Sequence, residues 1–169
     1  MAELTDIVIG TPIDIVTELP QVKKESSDYV LRRIFSDSDY GKETTGQILK
    51  ENFVLMDFIT KYFRDDVSTG SALYMGLAIY GMLKIEAKLP KVTCEAVKQV
   101  LTEYKHQTRR NDYIFGVLFP GIRKKDAVLA DFINNFSEVF DDPMPSFEGG
   151  LLIYRFMEKQ AELNKLKIN

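Results

Sequence analysis

The chain has one cysteine, one histidine and no tryptophan in 169 residues. A lone Cys94 cannot close an intramolecular disulfide, so a reducing compartment is the expected setting. An activated thiol would need His106 beside it. On one helix the two stand about 18 Å apart, too far for a proton relay, so Cys94 is expected as a small buried hydrophobe. A single histidine also excludes zinc hydrolases, di-iron bundles with paired Glu-x-x-His, and histidine–aspartate phosphohydrolases. Any Ser–His–acid or Cys–His arrangement would have to pass through His106. Its neighbours Lys105, Arg109 and Arg110 supply no orienting carboxylate, so it reads as a surface residue. No Gly-x-x-x-x-Gly-Lys-Ser/Thr loop occurs and no Gly-x-Gly-x-x-Gly follows a strand, which removes the usual phosphate cradles.

Long apolar runs are missing too. The longest uncharged stretch, Val67 to Leu83, has 17 residues and opens on Val67-Ser68-Thr69-Gly70-Ser71. It falls short of the ~20 apolar residues of a membrane span and reads as a core helix. The first residues carry Glu3 and Asp6 where an export signal needs positive charge. A soluble, cytoplasmic protein with no membrane partner is expected. What is present, 45% hydrophobic and 28% charged residues, suits one globular domain that needs neither metal nor disulfide to hold it.

Charge is unevenly spread. Residues 1–66 carry 13 acids and 8 bases, residues 67–125 carry 4 acids and 10 bases, and residues 126–169 carry 8 acids and 4 bases. A basic middle thus lies between acidic ends, while the net charge of −3 opposes indiscriminate coating of DNA.

The apolar pattern predicts an all-α bundle of five to six helices over residues 26–169, preceded by an arm over residues 1–25. In the arm, Ile7, Val8 and Ile9 precede Gly10-Thr11-Pro12, and Ile13, Ile15 and Val16 precede Pro20. The arm is compatible with a short helix over 12–19 or a strand, packed on its own domain or a neighbouring subunit. Ser27 is a candidate cap for a first helix with Val30, Leu31, Ile34 and Phe35. Ser36 to Gly41 reads as a loop, and Thr44 with Gln47 as a capping box opening a helix to about Phe63. A central helix over Gly70 to Leu83 carries Ala72, Gly76, Ala78 and Gly81, small residues that admit a close neighbour. Thr93 caps a helix with Val97, Val100, Leu101 and Tyr104. A short apolar piece, Tyr113 to Phe119, is expected to stop at Pro120-Gly121. A helix from about Lys124 turns Leu129, Phe132, Ile133, Phe136 and Phe140 inward. Asp141 to Ser146 reads as a rigid linker, and a last helix runs from Phe147 with Gly149-Gly150 at its start.

No carboxylate motif rises above chance. Asp37-x-Asp39 lacks the later ligands of a calcium loop, since Gly41 and Ile48 stand in their places. Glu86-Ala87-Lys88 echoes the acid-x-Lys of some nucleases at background frequency. The basic segment 98–125 is the clearest cluster. Lys98, Lys105, Arg109, Arg110, Arg123, Lys124 and Lys125 form a candidate patch for nucleic acid or an acidic partner, with Tyr104 and Tyr113 as stacking faces.

The leading expectation is a non-enzymatic protein–protein interaction or assembly protein without cofactor. A homo-oligomeric structural or connector subunit, of viral or phage type included, fits the separate apolar arm and the opposed charge blocks, as does an inhibitor of a larger partner. The alternatives are a nucleic-acid-binding regulator using residues 98–125, and a metal-assisted enzyme relying on acids such as Asp141 and Asp142.

Overall fold

The computed structural model describes residues 15–106 and 109–168, and among these there are helices and no strands. Eight helices follow one another: α1 Lys24–Ser36, α2 Ser38–Glu51, α3 Phe53–Tyr62, α4 Asp66–Glu86, α5 Cys94–Lys105, α6, α7 Ala127–Ser137 and α8 Pro143–Ile168. Here α6 is the unbroken run of Arg110–Tyr113, Ile114–Leu118 and Phe119–Lys125, whose middle piece is a π-turn. The all-α class holds, and eight helices replace the expected five or six. The difference comes from a break at Asn52, which divides one expected helix, and from the short piece at Tyr113 to Phe119, which is part of the longer α6.

The molecule is organised on α4 and α8. Helix α4 is buried almost all round, from Ser71 to Leu83, with Asp65 capping its start through the Ser68 N–H. It reaches one turn further at each end than the apolar run predicts. Ala72 on α4 meets Gly149 on α8, and Gly76 makes room for the Ile153 side chain. A Cβ built on Gly149 would lie 2.9 Å from the Ala72 Cβ, and one on Gly76 would lie 2.8 Å from the Ile153 Cδ1. At Gly149 the backbones therefore approach as only glycine permits, which offsets the roughly 1 kcal/mol that a helical glycine costs.

The expected single helix from Thr44 to Phe63 is divided at Asn52, which is buried. Its Nδ2 donates to the Tyr80 Oη and the Pro90 carbonyl, both at 3.1 Å, and its Oδ1 accepts from the Val92 N–H at 2.7 Å. Three bonds to distant partners outweigh one more intrahelical bond. The loop expected over Ser36 to Gly41 shrinks to Asp37, whose side chain accepts from the Asp39 N–H and starts α2 at once. Pro120 does not end α6. The π-turn before it widens the helix where a proline ring would otherwise strike the carbonyl four residues back.

Two further expectations change at the C-terminal end. The linker over Asp141 to Ser146 is largely the first turn of α8, with Asp142 accepting from the Met144 N–H. Proline is favoured in a first turn because its missing N–H has no partner there anyway. Gly149-Gly150 consequently lie inside α8 and not at its start.

Residues 15–23, the described part of the arm, form neither helix nor strand. They run against the helical body: Val16 O accepts from Asn164 Nδ2 at 2.8 Å, and the Val22 N–H donates to Asp126 Oδ2 at 2.8 Å. Asp126 also caps α7 through the Leu129 N–H. Ile15 and Val16 are half-buried, whereas Ile7, Val8, Ile9 and Ile13 lie outside the described residues. Among the described residues no helix is long and apolar enough to cross a membrane.

Candidate interaction surface

Three of the seven residues of the candidate basic patch form ion pairs in the fold. Arg110 pairs with Glu148, Arg123 with Asp131 at 2.9 Å, and Lys125 with Glu158. Lys98, Lys105, Arg109 and Lys124 are exposed. Lys98 lines a hollow with α3, whereas Lys124 and Lys125 border another with residues 17–21 and α8. Tyr104 and Tyr113 pack on each other with ring centroids 5.1 Å apart, and the Tyr113 ring is buried in the core.

At the corner of α5, α6 and α8, Arg110 meets a buried carboxylate. Glu148 is fully buried, and its Oε2 accepts from the Arg110 guanidinium and, at 3.3 Å, from the Tyr104 hydroxyl. Its Oε1 has no hydrogen-bond partner. Burial first, and then the Glu148 charge, push the Tyr104 hydroxyl up to about 12. The same two causes raise the Tyr62 hydroxyl. Nearby, Arg155 meets Glu103, Glu158 and Glu162, and Lys159 meets Glu103 at 2.7 Å. Burial opposes ionisation of Glu103, but Lys159 and Arg155 outweigh it and hold its carboxyl below the usual range.

Glu148 is not among the candidates that the sequence singles out. The available signal was an acid between Phe147 and Gly149-Gly150 inside an otherwise apolar stretch. An acid so placed must be buried, and a buried acid demands a cation.

The remaining candidates are structural or exposed. Cys94 is exposed at the first position of α5, because Thr93 caps the helix and turns Ala96 and Val97 inward. This corrects its expected burial. His106 is exposed at the end of α5. Glu86 anchors the start of α1, accepting from the Lys23 N–H and the Ser26 hydroxyl. Asp141 and Asp142 are exposed before α8, and among the described residues no group of three or more His, Cys, Asp or Glu is placed to hold a metal ion.

An exposed apolar surface lies between α1 and α7. A hollow of about 450 Å³ there is walled by Leu31, Phe35, Val128, Phe132, Phe136 and Val139. Phe35 is 62% exposed and Val139 58%, with Leu31 beside them at the rim. The Phe35 ring leans on Phe136, centroids 5.9 Å apart, and Phe136 continues to Phe132 and Phe140. The charges around it are already matched: Lys24 pairs with Asp28 at 2.7 Å, and Asp131 with Arg123. Such a surface offers apolar contact without a net field. No protein-family model, curated protein or solved structure matches the chain.

Proposed function

We propose that the protein is a non-enzymatic assembly protein that associates with copies of itself through the α1–α7 face. The observation that carries this reading is the exposed aromatic and aliphatic rim of Leu31, Phe35 and Val139 around an apolar hollow. Exposed apolar surface of this kind marks contact sites in soluble proteins. A second copy is favoured as the occupant because the flanking charges are neutralised within one chain. Two such faces can meet about a two-fold axis without repulsion, each giving the same patch to the other.

Sedimentation or light scattering across a concentration series tests this, with wild type beside Phe35→Glu. The wild type is expected to shift from monomer to oligomer, and Phe35→Glu to remain a folded monomer at every concentration. A wild type that stays monomeric, or an oligomer that ignores Phe35→Glu, removes the proposal. Recording absorbance at two wavelengths reads the rival directly. With no tryptophan and eight tyrosines the chain absorbs weakly, so copurifying nucleic acid is visible and would redirect attention to Lys98, Lys105, Arg109 and Lys124.

A further inference from the structure

A second apolar hollow, of about 320 Å³, lies between α3 and α5 and is separate from the α1–α7 face. Val54, Phe58, Val97 and Leu101 floor it, and Cys94 and Lys98 stand at its edge. Lys61 on the α3 side is matched by Asp57 at 2.7 Å, while Lys98 makes no ion pair among the described residues. The site therefore presents apolar floor with one unmatched positive charge, and its best ligand is an apolar segment bearing carboxylates.

Residues 1–14 have that chemistry. They carry Leu4, Ile7, Val8, Ile9 and Ile13 with three acids, Glu3, Asp6 and Asp14, and no Lys, Arg or His. The place where the described chain begins also points there. Val16 O accepts from Asn164 Nδ2 at 2.8 Å, and Asn164 Oδ1 accepts from Gln160 Nε2 at 2.9 Å. Gln160 Oε1 in turn accepts from the Thr93 N–H at 2.9 Å and hydroxyl at 2.7 Å. Cys94 is the next residue and lines the hollow. The seven residues from Val16 back to Ile9 can span at most about 23 Å. That exceeds the two side chains and one helical turn this relay covers.

We infer that the α3–α5 hollow is the docking site for the apolar cluster Ile7-Val8-Ile9 of the same chain, with Lys98 answering the acids that flank it. This inference does not depend on self-association through α1–α7. It gives the arm a seat on its own domain, one that any partner segment of like chemistry must compete for.

Cys94 provides the test, because it is the one cysteine and is exposed among the described residues. Protection of its thiol in the full chain requires a cover from outside them. The rate of modification by an aromatic disulfide reagent is measured on wild type, on Val8→Asp/Ile9→Asp and on Lys98→Glu, with circular dichroism confirming each fold. The wild-type thiol is expected to react at least tenfold slower than in the Val8→Asp/Ile9→Asp variant. Lys98→Glu is expected to fall between the two, and protection to be independent of protein concentration. Equal rates in all three proteins overturn the inference. Protection that appears only as concentration rises also overturns it, because the cover then comes from a second copy.

Discussion

The α4–α8 seam and the corner where α5 and α6 meet α8 share a helix but are held by opposite means. At the seam, glycine and alanine bring two backbones together and there is no charge to satisfy. At the corner, Arg110, Glu148, Arg155, Glu103 and Lys159 are brought together by charge, with one carboxylate fully buried. The contrast teaches that the same helix is specified by volume along one stretch and by electrostatics along another. It also explains why Arg110, one member of the basic segment, is drawn to a buried carboxylate while Lys98, Lys105, Arg109 and Lys124 stay exposed.

The seam is the easier of the two to break. Gly149→Val places branched carbon against Ala72, whose Cβ is fixed to a helix backbone and cannot swing away. A loss of about 3 kcal/mol is expected in urea unfolding. A neutral result would mean that the helices are free to separate.

The corner is expected to respond asymmetrically. The Arg110 side chain is 57% exposed, whereas that of Glu148 is fully buried. Arg110→Ala leaves a buried carboxylate without its cation and should cost about 2–3 kcal/mol. Glu148→Gln leaves a guanidinium that reaches water, and should cost less than about 1 kcal/mol. Equal losses would show that the pair acts as an ordinary surface bridge.

Acid sharpens the comparison further. Glu103 has a depressed folded pKa because Lys159 and Arg155 outweigh its burial, and Glu51 because Lys84 and Tyr80 do the same. Each contributes stability that is present above its unfolded pKa and lost as pH falls through its folded pKa. Asp126 has the opposite sign, since burial raises its carboxyl despite the bonds from Val22 and Leu129, and its protonation partly offsets that loss. Glu103→Gln should therefore flatten the fall of Tm below pH 5, by about 2 °C for a partly exposed network. Gly149→Ala, which meets only apolar groups of Ala72 and Phe63, should leave the pH slope as in wild type.

The least disturbance to folding is expected at the α1–α7 face. Phe35→Glu should change stability by less than about 0.5 kcal/mol, since that ring is mostly in solvent.

What was legible in the sequence was local. Thr93 with Val97, Val100, Leu101 and Tyr104 described α5 because cap and apolar stripe lie within one helix. The length of the apolar run likewise announced α4. The break at Asn52 was not legible, because its partners Tyr80, Pro90 and Val92 lie 28 to 40 residues away. Pro143 and Pro145 were read as linker although a helix accepts proline in its first turn, and Pro120 as a stop although a π-turn accommodates it. The candidate surface was hidden for the same reason. Phe35 is one of four apolar residues of the first helix in the sequence, and the packing of α1 against α7 sets which of them stands at a rim. Of the seven basic residues close in sequence, Arg110, Arg123 and Lys125 find acids on other elements or turns, which sequence spacing does not announce, while Lys98, Lys105, Arg109 and Lys124 stay exposed.

The central claim is that the α1–α7 face is where copies of the chain meet. Amide hydrogen exchange by mass spectrometry, run at low and high protein concentration, tests it most directly. The account predicts that protection rises with concentration over peptides spanning 27–36 and 127–140, and nowhere else. Protection that rises over another surface, or that does not change with concentration at all, would contradict it.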